Sequence, residues 1–237
     1  MEARRLLDAL AVAERLKDTT RHCYTSKGRH ESVAEHCWMV TLMAYFLRDE
    51  FPELDMNRVV QMCLIHDLGE AFTGDIPSFR KTEANEAVEE QLLYNWVATL
   101  PQPYAAEMRA LYEEMAARET TEAKIYKAID NFEAVIQHNE SPLSTWIPEE
   151  YELNRTYGWD KAAFSPYLTA LRQEHLNSLR QHPGDADALR ESWKRYQPGY
   201  DRTEEVQYEK DWSGTGLIGF YYFICTSGQF IIYVVSI

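Results

Sequence analysis

The sequence predicts an all-α fold, a helical bundle over about residues 1–200, with a linker and short uncharged apolar tail at 201–237. Three observations predict it. Apolar residues recur at three- and four-residue spacings, as in Leu6, Leu7, Leu10 and Leu16, in Val40, Met43, Ala44 and Leu47, and in Val59, Val60, Cys63 and Leu64, which is the period of one helix face. Helix-start residues precede most of these runs. No segment before about residue 196 alternates apolar and polar side chains like a half-buried strand, and no internal repeat is visible.

The elements follow in order. The first helix, in MEARRLLDALAVAERLK, carries charges throughout. It lacks the long apolar run and small-residue cleavage site of a secretory signal. Ser32-Val33-Ala34-Glu35 is a capping box opening a helix to about Arg48. Asp55 caps the next, which is expected to end near Gly69. Thr82 precedes a helix to about Ala98, and Pro101-Gln102-Pro103 breaks the chain. Further helices are expected at about 104–117, from Thr120 or Thr121 to about His138, after Ser165-Pro166, and at about 186–196 behind Asp185. Proline after Ser165 suits the first helical position, where its missing N–H costs nothing.

The tail differs in composition. Asp211 is the last charged residue, and Trp212 to Ile237 holds none while being rich in β-branched and aromatic side chains. Three readings stay open: a short hairpin or strand packed on the body, a tail anchor, or non-native sequence from a shifted reading frame. About 20 apolar residues can span a bilayer. Against the anchor, Thr226, Ser227, Gly228 and Gln229 sit mid-segment, and only Lys210 lies close before it.

Composition excludes several function classes. With 24 Lys plus Arg against 38 Asp plus Glu, the net charge is −14. Such a chain is repelled by nucleic-acid backbones and anionic membrane surfaces. A hydrophobic share of 45% and a charged share of 26% suit an ordinary soluble globule rather than a disordered chain. Cys23, Cys37, Cys63 and Cys225 form no CxxC pair. Buried free thiols in a reducing cytoplasm are the expected reading.

The residues that bear chemistry are His36, the adjacent His66-Asp67, and Asp130. Each falls within or at the end of an expected helix. Asp130 interrupts an otherwise apolar stretch, Ile129-Asp130-Asn131-Phe132, where a carboxylate is costly without a partner. A divalent cation is such a partner. Two imidazoles with two carboxylates suit Mn, Fe, Co, Ni, Zn or Mg, and an octahedral ion on four ligands keeps two positions for water and substrate. Singly, each residue is more ordinarily a hydrogen-bonded polar group. The order H…HD…D on successive helices raises the set above that.

Ser32-Val33-Ala34-Glu35-His36, Ile65-His66-Asp67-Leu68-Gly69-Glu70, Thr73-Gly74-Asp75-Ile76-Pro77 and Lys127-Ala128-Ile129-Asp130 together resemble the HD-domain metal-dependent phosphohydrolases. The match is closest to the 5'-deoxynucleotidase branch and runs from about Leu6 to about Tyr157. The resemblance implies an all-helical HD domain with one divalent ion held by His36, His66, Asp67 and Asp130. It implies that Glu70 orients water or acts as general acid/base, that Asp75 lies near the scissile phosphate, and that Arg21 grips the phosphate, a task suited to a forked guanidinium. Relatives often carry a tryptophan after that arginine; here Arg21-His22-Cys23-Tyr24 leaves Tyr24 or His22 to fill the place against the sugar. Lys27 and Arg29 are expected to be solvated. Glu133 and Gln137 follow Asp130 on nearly its face, as partners behind the ligands or, more ordinarily, as helix surface.

No histidine occurs between Asp67 and Asp130. Relatives with two or three metals recruit histidines from that stretch, so a single ion and a monoester substrate are expected. There is no G-x-S-x-G elbow and no P-loop. Cys37 follows His36, but adjacent helical positions point apart. Trp38, Trp96, Trp146, Tyr45 and Phe46 read as core or dimer interface. The expected activity is metal-dependent hydrolysis of a phosphomonoester, a (deoxy)nucleoside 5'-monophosphate first, by a cytoplasmic homodimer with no nucleic-acid partner. The rivals are another phosphoester, such as a diester or sugar phosphate, and a metal-bound sensor with little turnover.

Overall fold

The structure, a computed structural model, describes residues 1–178, 221–226 and 229–234. The chain divides into two units, Met1–Pro198 and Gly199–Ile237. In the first unit, helix α1 (Ala3–Glu14) buries none of its residues, and Leu6, Leu7 and Leu10 remain about half exposed. Strands β1 (Thr20–Tyr24) and β2 (His30–Ser32) then pair antiparallel, with Thr20 opposite Ser32 and Tyr24 opposite His30. Gly28, at φ +79°, makes the turn between them, a backbone region that costs glycine little. This pair corrects the strand-free expectation. Segments of five and three residues are too short for a two-residue burial period to emerge, and β1 shows none.

Helix α2 (Val33–Leu47) starts at the expected capping box: Ser32 Oγ accepts from Glu35 N at 3.3 Å, and Ser32 N donates to the Glu35 carboxylate at 2.9 Å. Asp55 caps α3 (Met56–Ile65) through Arg58 N at 3.1 Å. This helix ends at Ile65 rather than near Gly69. A turn carries His66–Gly69 into the short α4 (Glu70–Thr73), which Gly74 ends at φ +78°. Helices α5 (Glu83–Val97), α6 (Tyr104–Ala117) and α7 (Thr121–Glu140) lie where the start signals place them, with Thr82 and Thr120 as caps. Two elements have no counterpart in the sequence reading: α8 (Pro148–Thr156) and α9 (Trp159–Ala162). Helix α10 (Pro166–Ser178) follows Ser165, whose Oγ accepts from Leu168 N at 3.3 Å. The helix expected at about 186–196 lies outside the described residues.

The core forms where α2, α3 and α7 pack on one another. Val33, Val40 and Ala44 of α2, Val59, Met62 and Cys63 of α3, and Ile125, Ala128, Ile129 and Phe132 of α7 are fully buried there. The same three helices, with the turn after α3, carry His36, His66, Asp67 and Asp130. Rigid packing, at the density of organic crystals, therefore fixes those side chains. Cys23, Cys37 and Cys63 are free and buried. Trp146 is buried and Trp96 packs partly buried on the core, but Trp38, Tyr45 and Phe46 are 59%, 50% and 70% exposed. The core reading of these three is therefore overturned; they form an apolar stretch on the outer side of α2.

In the second unit, β3 (Tyr221–Thr226) and β4 (Gln229–Val234) pair antiparallel, from Tyr221 opposite Val234 to Thr226 opposite Gln229, as in a hairpin. Among the described residues, no helix is long and apolar enough to cross a membrane.

The capping box places His36 in the first turn of α2. Ser32→Ala is expected to cost about 1 kcal/mol, read from the urea midpoint at an unchanged slope.

Candidate metal centre

Four side chains, from α2, the turn after α3 and α7, converge on one point. His36 Nε2 and His66 Nε2 lie 3.1 Å apart. Asp67 Oδ2 is 3.0 Å from His66 Nε2 and 3.6 Å from His36 Nε2. Asp130 Oδ1 is 3.1 Å from His36 Nε2 and 3.5 Å from His66 Nε2. His36 is fully buried, in the first turn of α2, and His66 caps the end of α3. Asp130 sits midway along α7, where Lys127, one turn earlier, reaches its other oxygen, Oδ2, at 2.7 Å.

The outer nitrogen of each imidazole is already committed. His66 Nδ1 lies 2.8 Å from the Cys63 carbonyl, which only accepts, so Nδ1 carries the hydrogen. His36 Nδ1 faces the buried Glu133 carboxylate and donates to it. In the neutral rings, both Nε2 atoms then present lone pairs, facing each other and two carboxylate oxygens. Four acceptors with no proton among them repel unless positive charge sits between them. Protons or a cation can supply it. Burial opposes charging His66, yet the Asp67 and Asp130 carboxylates outweigh it and hold its pKa well above the ordinary value. His36 shifts the same way: burial and Arg21 oppose charging, and Glu133 and Asp130 outweigh them. Burial raises the Asp130 carboxyl, but Lys127 and the two imidazoles carry it well below the usual range. This mixed nitrogen and oxygen donor set fits a divalent cation, and His36, His66 and Asp67 form a group able to hold one.

Glu133 corrects the sequence reading, which favoured plain helix surface. It is 1% exposed and anchors His36 from behind, a partner that fixes tautomer and ring orientation. Its weak signal was a charge three residues after Asp130 in an apolar stretch. Glu31 was missed altogether, and Lys127 stood in the quoted Lys127–Asp130 motif without a role. Glu31, also buried, lies 3.1 Å from Arg21 Nε and accepts from Cys23 Sγ at 3.1 Å. Burial and the Glu133 charge push its carboxyl up to about 7. Gln137 donates to the Tyr24 carbonyl at 2.8 Å, and Arg29 pairs with Glu35 on the exposed surface.

A cavity of ≈ 280 Å³ opens beside the four ligating atoms, near the small end of the ~300–1,000 Å³ typical of ligand sites. Arg21, His22, Asp67, Glu70, Asp75 and Asp130 line it. Arg21 reaches to 3.7 Å from Asp67 Oδ2. The break after Ile65 makes Glu70 the first residue of α4, 5% exposed. Burial, then the Asp67 and Asp75 charges, push its carboxyl up to about 10. Burial also raises Asp75, whose carboxylate accepts from the His22 backbone N–H. Of the two residues expected beside the sugar, His22 lines the cavity and Tyr24 does not. Tyr24 stacks on His30 with ring centroids 4.0 Å apart.

Residues 13–172 match the HD domain family model. The human 5'-deoxynucleotidase HDDC2 is 32% identical over 143 residues, 58% of this chain and 69% of that protein. The 5'-deoxynucleotidase hdd1 of Schizosaccharomyces pombe is 28% identical over 171 residues, covering 65% and 84%. A crystal structure of a predicted metal-dependent phosphohydrolase from Magnetospirillum magnetotacticum MS-1 superposes with a TM-score of 0.62 at 26% identity, over 75% of this chain and 93% of that one.

The purified chain is expected to take up one Mn²⁺, Co²⁺ or Zn²⁺ per molecule. His66→Ala should abolish uptake. Glu133→Gln should weaken it about 10–100-fold while the fold persists. Calorimetric titration with circular dichroism checks both. Uptake should weaken as pH falls, because protons then occupy the two imidazole nitrogens that face the site.

Proposed function

Because this chain belongs to the HD-domain family, matched over residues 13–172, we propose that it is a divalent-metal-dependent phosphomonoesterase acting on (deoxy)nucleoside 5'-monophosphates. One observation carries the reading: four acceptor atoms of His36, His66, Asp67 and Asp130 stand within 3.0–3.6 Å of neighbours in the set, beside a cavity lined by Arg21. The curated relatives reported above carry 5'-deoxynucleotidase names, which supports the substrate class.

His36, His66, Asp67 and Asp130 would hold the ion. When bound, a divalent cation at such a site lowers the pKa of water toward neutrality and neutralises charge growing on a phosphoryl group. The remaining roles fall to the chain itself. Arg21, tied to Glu31 and facing Asp67, binds phosphate oxygens through its forked donors. Lys127 holds the outer oxygen of Asp130, so that Oδ1 stays turned to the imidazoles. Glu70, its carboxyl pushed up to about 10 chiefly by burial, holds a proton near neutral pH beside the cavity, and burial raises the Asp75 carboxyl in the same direction. One orients water, and the other donates to the departing sugar oxygen. His22 stands against the sugar.

The protein is further proposed to be a homodimer, supported by the exposed Trp38, Tyr45 and Phe46 on α2. Three buried free thiols fit a reducing, cytoplasmic setting. The net charge of −14 supports the absence of a nucleic-acid partner.

Chelated protein, resupplied with Mn²⁺, Co²⁺ or Mg²⁺, is expected to release phosphate from nucleoside 5'-monophosphates and to leave bis-nitrophenyl phosphate intact. Diester cleavage, or no release with metal bound, would overturn the reading. Glu70→Ala should keep the metal and lose about 10²–10⁴-fold in kcat. Arg21→Ala should chiefly raise KM, and steady-state kinetics separate the two. Light scattering tests the dimer; a monomeric mass contradicts it.

A further inference from the structure

Part of the cavity wall has no task in the chemistry above. Glu150 of α8 lies between two histidines from other elements. Its Oε1 is 2.9 Å from His22 Nε2 on β1 and 2.7 Å from His138 Nε2 on α7. Its second oxygen accepts from Ile147 N at 2.8 Å. The Glu150 side chain is only 4% exposed, while His22 and His138 keep 26% and 21% of theirs. All three line the same cavity as Arg21 and Asp130.

The bonding decides what these rings can offer. His138 hydrogen-bonds Glu150 through Nε2 and the Ala134 carbonyl through Nδ1 at 2.9 Å, while His22 Nε2 stands 2.9 Å from the same carboxylate oxygen, an ion-pair approach without hydrogen-bond alignment. With both nitrogens of His138 engaged, what that ring has left to offer a ligand is its carbon surface. Trp146, outside the cavity lining, packs edge-on to His138 at 5.5 Å, and Phe79, itself part of the cavity wall, packs edge-on to His22 at 5.8 Å. Val135 and Leu153 add apolar wall. The His138 ring, held at both nitrogens, and the His22 ring against the same buried carboxylate, beside apolar neighbours, make a firm surface for a flat ring, since aromatic rings pack well face to edge or offset. Of the lysine and arginine side chains lining the cavity, Arg21 and Lys127 belong to the metal side and Lys81 pairs with Glu89 at 2.8 Å.

We propose that the His22–Glu150–His138 bridge is the docking wall for the nucleobase, with Glu150 as the positioning residue that holds both imidazoles. This rests on the nucleotide reading above and deepens it: the base, and not only the phosphate and sugar, is bound. Holding the rings in place before binding removes the ordering cost from the ligand's affinity.

The test separates base from phosphate. Mn²⁺-loaded full-length chain is titrated calorimetrically with 2'-deoxycytidine, which lacks phosphate, and with 2-deoxyribose 5-phosphate, which lacks a base. Wild type should bind both. His138→Ala should weaken deoxycytidine binding at least tenfold and leave sugar-phosphate binding within twofold, and Glu150→Ala should weaken deoxycytidine by a clearly larger factor than the sugar phosphate. Glu150→Gln, which keeps an acceptor oxygen, should lose less than Glu150→Ala. Equal weakening of both ligands would mark a merely structural role and overturn the proposal, as would a wild type that does not bind deoxycytidine. Phosphate release from deoxycytidine 5'-monophosphate, measured on the same wild-type sample, tests the hydrolase reading separately. Its failure would leave the base-binding result standing on the two titrations.

Discussion

Two imidazole nitrogens facing each other at 3.1 Å, each with its proton committed on the far side of its ring, are the constraint on which the site depends. Acceptors held that close are stable only around positive charge. Everything nearby serves to keep them there. The Ser32–Glu35 capping box sets the first turn of α2, the break after Ile65 turns His66 and Asp67 inward, and the Thr120 cap sets the register of α7. Since α2, α3 and α7 also form the core, the scaffold is the packed interior itself, and loosening the core loosens the site.

Around that point the cavity is built unevenly. Arg21, Glu31 and Lys127 gather with the acid residues on the metal side. The other wall is aromatic and apolar, with its polar atoms turned on one another through Glu150. A phosphorylated nucleoside has the same asymmetry, one dianionic end and one flat ring. The correspondence between the two is physical and independent of the family likeness.

Much of this was legible in the sequence where a local rule governs it. Caps at Ser32, Asp55, Thr82 and Thr120 start their helices as expected, because a side chain three residues from an unpaired N–H either reaches it or does not. The strand pair was not legible: eight residues carry too little periodicity, and their pairing is a tertiary fact. Helix α8 was missed because Pro148 follows Ile147, which offers no side-chain cap; Glu150 supplies one from inside the helix. Among site residues, the histidines and aspartates stood out against apolar neighbours. Glu31, Glu133 and Glu150 did not, since a glutamate in a helical or polar context is ordinarily exposed, and only the fold reveals burial. Tyr24 and His22 were indistinguishable in sequence; the stacking of Tyr24 on His30 separates them.

The central claim is that positive charge between His36, His66, Asp67 and Asp130 is a bound divalent ion. Anomalous-difference diffraction from crystals of the full chain grown with Mn²⁺ measures it directly. The account predicts one strong peak per chain within about 2.0–2.3 Å of His36 Nε2, His66 Nε2, Asp67 Oδ2 and Asp130 Oδ1. A peak elsewhere, between Glu31 and Glu133 for example, or no peak at saturating Mn²⁺, would contradict it.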